Sequence, residues 1–242
     1  MKVQTIGMLA MLAAAVCSYA TPEVAVAQTS RPAPTHATGC SADGNIEFIC
    51  GVPHAEDLQR IPRSEWVIAS GLEQQGLRFV NTRDFQYMPA FPTTTSRTRF
   101  ERQKFPDCPG PAVEEGMDFH GINLREGQNG IHTLYAVRHV TRDVDSRESI
   151  EVFEIDARQK QPIVTWIGCV PSPAGIILNS VTPLPGEGFV SSNFNWPGND
   201  KASDFPKEWS NGQLWEWQPG TTWKIVRGSE FLPGPNGLEA SR

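Results

Sequence analysis

The chain has 242 residues, of which 39% are hydrophobic and 20% are charged, so it is long enough to bury a substantial core. Its net charge of −6 argues against a nucleic-acid-binding protein, because such proteins usually carry a basic surface. No apolar stretch beyond the N-terminus has the length of a transmembrane segment.

The first residues have the pattern of an export signal. Lys2 precedes an apolar stretch at residues 6–16, and small residues follow it. Ala20 and Ala27 are both plausible cleavage points. An N-terminal membrane anchor and a lipoprotein signal at Cys17 are the alternatives.

We therefore assign residues 1–27 to a signal peptide and residues 28–39 to a flexible leader. Residues 40–242 form the folded domain of this prediction. Export would place the protein in the periplasm or outside the cell, where the environment permits disulfide bonds.

Four cysteines remain after the predicted signal: Cys40, Cys50, Cys108 and Cys169. The first two flank a predicted turn at residues 43–45, so they could pair with each other. Four cysteines nevertheless allow three connectivities, and a buried free thiol is the alternative for the last one, which lies in an apolar strand. Their spacing does not indicate a zinc site.

The sequence favours an all-β fold made of short strands. It contains 20 prolines and 21 glycines, its apolar runs are short and often alternate, and no segment has the pattern of an amphipathic helix. The predicted strands are residues 66–69, 119–124, 131–139, 149–155, 163–170, 178–182, 188–193, 212–218 and 222–227. We expect residues 81–115 to be a long loop with strand fragments.

Four short motifs recur at intervals of roughly sixty residues, which is a spacing compatible with the blades of a β-propeller. Each has a polar side chain two residues before an aliphatic one. The motifs are Glu56-Asp57-Leu58, His120-Gly121-Ile122, Asn179-Ser180-Val181 and Asn236-Gly237-Leu238. Equivalent positions of successive blades surround one axis, so the polar residues would build one central site.

The repeat also suggests that the propeller is incomplete. The sequence has about three blades and the start of a fourth, whereas closed propellers typically have 4–8. We therefore expect this chain to be an N-terminal portion of a longer protein. A short variant that closes by self-association is the alternative.

Three of the repeated polar residues have the chemistry of calcium ligands. Glu56, Asn179 and Asn236 carry carboxylate or amide oxygens, and Ca²⁺ prefers 6–8 such hard oxygen ligands. Three protein ligands would leave positions for water and substrate.

Two histidines are placed for proton transfer. His120 lies near the start of one predicted strand and His139 near the end of the next, so antiparallel pairing would bring both to one edge of the sheet. Imidazole is suited to acid–base catalysis near neutral pH. We expect His36, His54 and His132 to face solvent.

Together these motifs resemble the paraoxonase-like (arylesterase) branch of the superfamily that includes senescence marker protein, gluconolactonase and strictosidine synthase-like proteins. Members are six-bladed, calcium-dependent β-propellers. The resemblance extends over about residues 50–242 and also includes the segments at residues 69–72, 134–139 and 149–153.

The resemblance implies a role for each matching residue. Glu56, Asn179 and Asn236 match ligands of the catalytic calcium, whereas Asp57 and the backbone carbonyl of Ile122 match ligands of a second, structural calcium. His120 matches the general base, and His139 the histidine behind it. Ser180 departs from the pattern, because the family carries an acidic ligand of the second ion there. A later Asp-Asn pair that completes the family's site would lie beyond Arg242.

The implied function is calcium-dependent hydrolysis of a lactone or aryl ester, with a small-molecule substrate. A non-catalytic, calcium-stabilised propeller is one alternative, in which a ligand binds to Trp196, Trp209, Trp215, Trp217 and Trp223. An inactive fragment of such a hydrolase is the other. The natural substrate and the oligomeric state stay open.

Overall fold

The fold is given by a computed structural model, which describes residues 41–73, 75–111, 117–139, 147–193 and 212–240, and the backbone of residues 35–36. The predicted signal peptide and Cys40 lie outside these residues. Within them the protein is all-β: no α-helix occurs, and the single helical turn is a 3₁₀ turn at Pro185–Glu187.

The described residues form fourteen strands in three sheets. The first sheet contains β1 (Thr35–His36), β2 (Ala55–Arg60), β3 (Trp66–Gly71), β4 (Gly76–Asn81) and β5 (Gln86–Phe91). The second contains β6 (Arg97–Thr98), β7 (Asp118–Arg125), β8 (Ile131–His139), β9 (Ser149–Asp156) and β10 (Ile163–Pro171). The third contains β11 (Leu178–Pro183), β12 (Phe189–Asn193), β13 (Gln213–Trp217) and β14 (Lys224–Ile225).

Each sheet is built around a four-stranded antiparallel meander, β2 to β5, β7 to β10 and β11 to β14. A short extra strand extends two of them: β1 pairs antiparallel with β5, and β6 pairs parallel with β10. None of the three sheets closes on itself in the described part of the chain. The first strand of the middle meander, β7, packs against β2 on one side and β11 on the other.

The prediction of an all-β fold is confirmed, and the predicted strands of the second and third sheets are close to those observed. The first sheet differs from the prediction, because β2 and β4 were not predicted and β5 lies in the segment expected to be a long loop with strand fragments. β5 contains Pro89, a residue that usually argues against a strand. The strand is nevertheless paired with β4 along its length, with an irregularity in register beside Leu77.

Aromatic side chains fill the spaces between the sheets. Phe153 of the second sheet makes edge-on contacts with Phe91 of the first, at a centroid distance of 4.9 Å, and with Phe119 of its own sheet, at 5.9 Å. Between the second and third sheets, Tyr135 packs on Phe189 at 5.3 Å. All five side chains are almost completely buried, so one continuous core joins the three sheets.

His132 is buried, so the expectation that it faces solvent was wrong. It lies on the same face of β8 as the buried residues Leu134 and Ala136, and its Nδ1 accepts a hydrogen bond from the Gly127 amide at 3.2 Å. His54 is exposed as expected and forms an ion pair with Glu73 at 3.3 Å.

A disulfide bond joins Cys108, in the segment after β6, to Cys169 of β10. The alternative of a free thiol at Cys169 is therefore wrong. Cys50 is also disulfide-bonded. The Cys108–Cys169 bond closes a segment with a sequence separation of 61 residues, so it restricts the unfolded chain substantially.

We predict that replacing both Cys108 and Cys169 by alanine lowers the free energy of unfolding by about 2–4 kcal/mol, since the unfolded chain regains the entropy of an open loop. Denaturant-induced unfolding of the variant and the wild type, both without reductant, measures this difference. Equal midpoints and slopes for the two proteins would contradict the prediction.

Candidate functional site

The first strand of each meander is interrupted by a bulge at the repeated motif. The pairing register shifts between Ala55 and Leu58 in β2, between Phe119 and Ile122 in β7, and between Leu178 and Val181 in β11. A bulge takes residues out of the ladder and redirects their side chains. The first and second positions of three motifs are thus structurally equivalent residues of three different sheets.

The first-position side chains of these three motifs form one hydrogen-bonded row. Oε1 of Glu56 lies 3.1 Å from Nε2 of His120. Nδ1 of the same ring lies 2.8 Å from Nδ2, the side-chain amide nitrogen of Asn179. Residues from β2, β7 and β11 therefore meet directly, although roughly sixty residues separate each from the next in sequence.

The fourth motif lies next to this row. The backbone oxygen of Asn236 accepts a hydrogen bond from Oγ of Ser192 at 2.7 Å. Glu56, Asn179 and Asn236 line one cleft of about 240 Å³. The structure thus brings together all four residues that the sequence predicts to converge.

Second-position residues connect the first motif to the second and the third motif to the fourth. Oδ2 of Asp57 accepts a hydrogen bond from the Ile122 amide at 2.9 Å, and Oγ of Ser180 accepts one from the Leu238 amide at 3.1 Å. Between these two connections stands Gly121, where a Cβ atom would lie only 2.6 Å from the Cα of Ser180. The backbones of β7 and β11 approach so closely there that only glycine fits.

These connections are a poor match for a second cation site. Asp57 meets the amide nitrogen of Ile122, whereas the resemblance implies that the carbonyl oxygen of Ile122 is a ligand. The other carboxylate oxygen of Asp57 accepts the Leu58 amide at 2.7 Å. Ser180 offers a neutral hydroxyl that already holds the fourth motif. We therefore derive no function from a second ion.

The electrostatics of the row fix the protonation of His120. Burial, and next the proximity of His139, lowers the pKa of His120 to about 4, so its ring is neutral at neutral pH. A neutral ring that faces a carboxylate carries its hydrogen on that side, so Nε2 donates to Glu56 and Nδ1 accepts from the Asn179 amide. Burial, and then the charge of Asp57, raises the pKa of Glu56.

His139 lies beside this row, as predicted from antiparallel pairing. Its ring centroid is 4.9 Å from that of His120. Its Nδ1 is 3.1 and 3.2 Å from the two carboxylate oxygens of Glu148, a residue that the sequence analysis missed. The available signal was register: Glu148 immediately precedes β9, and the pairing of Arg138 with Ser149 places it next to His139.

Asn193 is a second residue that sequence reasoning missed. It is completely buried at the end of β12, and among the described residues neither polar atom of its side-chain amide has a hydrogen-bond partner. It lies on the same face of β12 as Phe189, whose ring packs on Tyr135 of β8, so it is directed toward the second sheet. An unpaired buried amide costs about 1–3 kcal/mol and calls for an explanation such as a bound water or ligand. Nothing in the sequence around Asn193 signals this role.

The cleft fits a hard divalent cation. Glu56 supplies a carboxylate, Asn179 and Asn236 supply amide oxygens, and a second negative charge lies next to the first at Asp57. In the described ranges, no group of three or more His, Cys, Asp or Glu side chains is arranged to hold a metal. The predicted calcium ligands, Glu56, Asn179 and Asn236, are not a group of that type, since they comprise one carboxylate and two side-chain amides.

Searches of protein-family models and of curated proteins find no match to this chain. The resemblance to the paraoxonase-like family therefore stays a prediction based on the motifs. No helix in the described part has the length and apolar character needed to cross a membrane.

We predict that Asp57→Ala and Ser180→Ala each lower the free energy of unfolding by about 1–2 kcal/mol, because each leaves a backbone amide between two motifs without its acceptor. The loss should already be present in chelator, where no calcium contributes to stability. Denaturant unfolding measures it, with Asp84→Ala at an exposed turn as the control. A loss that occurs only in calcium would contradict this structural role.

Proposed function

We propose that the protein is a calcium-dependent hydrolase of lactones or aryl esters. The observation that carries this proposal is the hydrogen-bonded row Glu56–His120–Asn179, in which residues of three sheets meet beside the cleft that Asn236 completes. Carboxylate and amide groups that line a cleft, with an imidazole hydrogen-bonded to two of them, are groups that metal-assisted hydrolysis uses.

The fold part of the proposal is that the three sheets are blades of a six-bladed β-propeller. Its support is the repetition of one design: each sheet is a meander, and the first strand of each carries a bulge at the same motif. First strands of propeller blades surround the central axis, and here β7 packs between β2 and β11. The number six comes from the family resemblance alone.

In the proposed reaction the cleft binds the carbonyl group of the substrate. A calcium ion held by Glu56, Asn179 and Asn236 would polarise the carbonyl and stabilise the negative charge that develops on its oxygen. Asp57 adds negative charge beside Glu56, which favours a cation in the cleft. The histidine pair takes a proton from the attacking water, and the sequence-based prediction assigns this step to His120.

The alternative of a binding module that uses tryptophans is less well supported by the residues described. Trp217 stacks on Phe105 and Phe189 at centroid distances of 6.0 and 5.2 Å, and it is almost completely buried. Trp223 also packs on Phe189 and donates its indole hydrogen to the Pro171 carbonyl at 2.8 Å. These two tryptophans are engaged in the core. Trp196 and Trp209 lie outside the described residues.

We predict that His120→Gln and Asn236→Ala each lower kcat on a lactone and aryl ester panel by about a hundredfold or more, because His120 holds Glu56 and Asn179 beside the cleft and Asn236 is one of the three proposed calcium ligands. Steady-state kinetics measures the loss, and thermal unfolding checks that both variants stay folded. His54→Gln is the matched control at an exposed histidine, and it should retain the wild-type rate. Wild-type rates in either site variant would contradict the assignment.

We also predict that a chelator abolishes hydrolysis and that added Ca²⁺ restores it, because the cleft offers oxygen ligands suited to that ion. Isothermal titration calorimetry should detect Ca²⁺ binding to the wild type, and Asn179→Ala should weaken it at least tenfold. Calcium-dependent ligand binding without any turnover would instead favour the binding module.

A further inference from the structure

Both ring nitrogens of His120 are already engaged. Nε2 faces Glu56 at 3.1 Å, and Nδ1 holds the Asn179 amide at 2.8 Å. With a partner already at each ring nitrogen, His120 is poorly placed to take a proton from a water molecule. The ring is therefore placed to link two residues that are themselves predicted calcium ligands.

His139 is engaged at one nitrogen. The Glu148 carboxylate faces Nδ1 with both oxygens, at 3.1 and 3.2 Å, so Nδ1 donates to it and Nε2 is the remaining ring nitrogen. No hydrogen bond to Nε2 is found among the described residues. About a fifth of the His139 side chain is exposed, at 22%, so water can reach the ring. An imidazole is activated as a base when a carboxylate accepts a hydrogen bond from its other ring nitrogen.

Glu148 is itself held in place. Its backbone oxygen accepts a hydrogen bond from the Ser172 amide at 2.9 Å, which ties it to the segment between β10 and β11. Its carboxylate side chain is only 16% exposed. Glu148 also borders a cleft of about 620 Å³ whose lining includes Pro171, Ile176 and Ile177. Apolar surroundings strengthen the attraction between a carboxylate and an imidazolium.

We propose that His139 is the general base of the reaction and that Glu148 is the residue that positions it. His120 then organises Glu56 and Asn179 and packs against the base at 4.9 Å. This inference rests on the proposed function, since it assigns the proton transfer of the same site.

In the proposed step the oxygen of a water molecule forms a bond to the carbonyl carbon of the substrate. The water proton passes to Nε2 of His139, and the π electrons of the carbonyl move onto its oxygen. Collapse of this adduct re-forms the carbonyl and breaks the ester C–O bond. The proton on Nε2 is then transferred to the departing alkoxide or phenoxide, which returns the imidazole to its starting state.

One test is spectroscopic and independent of activity. Two-dimensional ¹⁵N–¹H NMR of the imidazoles in the full chain distinguishes the two neutral tautomers. We expect His139 to carry its hydrogen on Nδ1 in the wild type, and Glu148→Ala to shift the ring toward the Nε2–H form that predominates in free histidine. An Nε2–H tautomer of His139 in the wild type would overturn the inference.

The second test is kinetic. Glu148→Gln should lower kcat about 10- to 100-fold with little change in KM, since such positioning partners typically contribute that much. His139→Gln should lower kcat at least as much. Glu154→Gln, on β9 but paired with Arg99 at the surface, is the matched control and should retain the wild-type kcat.

The outcomes separate the two proposals. If the wild type hydrolyses esters and Glu148→Gln retains its kcat, the positioning role fails while the proposed function stands. If His120→Gln loses activity and His139→Gln retains it, the base is His120 and this inference is overturned. If the wild type hydrolyses no ester or lactone with calcium present, the proposed function fails and the catalytic role fails with it.

Discussion

The site depends on hydrogen bonds between residues of neighbouring repeats, made where the first strand of each meander bulges. At the first position of the motif the side chains bond to one another, from Glu56 through His120 to Asn179. At the second position Asp57 and Ser180 each hold a backbone amide of a neighbouring motif. The same few residues therefore join the sheets and build the cleft, so the stability of the fold and the geometry of the site are coupled.

Because of this coupling, the polar side chains of the motifs have two functions: they join the sheets, and they form the cleft. A polar group removed from water needs a partner, and here the partner comes from a different sheet. At the second position of the motif, Asp57 and Ser180 are hydrogen-bond acceptors. Gly121 occupies the same position where the backbones of β7 and β11 come closest. The first position keeps groups that can serve a substrate or an ion as well as one another. Asn193, which pairs in register with Leu178 beside the third motif, is completely buried.

The convergence of the four motifs could be predicted from the sequence because their spacing is about the length of one meander. A motif that recurs at this spacing occupies the same structural position in each successive sheet. The sequence did not predict the second-position connections, since Asp57, Gly121 and Ser180 share no chemistry. β5 was expected only as an undefined fragment of a long loop, because Pro89 is atypical of a strand, although pairing with β4 accommodates it. Glu148 was missed because a charge in a loop is usually solvated, and only the register of β8 and β9 places it at His139.

The central claim is that Glu56, Asn179 and Asn236 hold one calcium ion, and a crystal structure of the full chain grown with calcium tests it most directly. The account predicts one ion at about 2.3–2.6 Å from a side-chain oxygen of each of the three residues. An ion bound at other residues, or a calcium-saturated crystal in which this cleft holds only water, would contradict it.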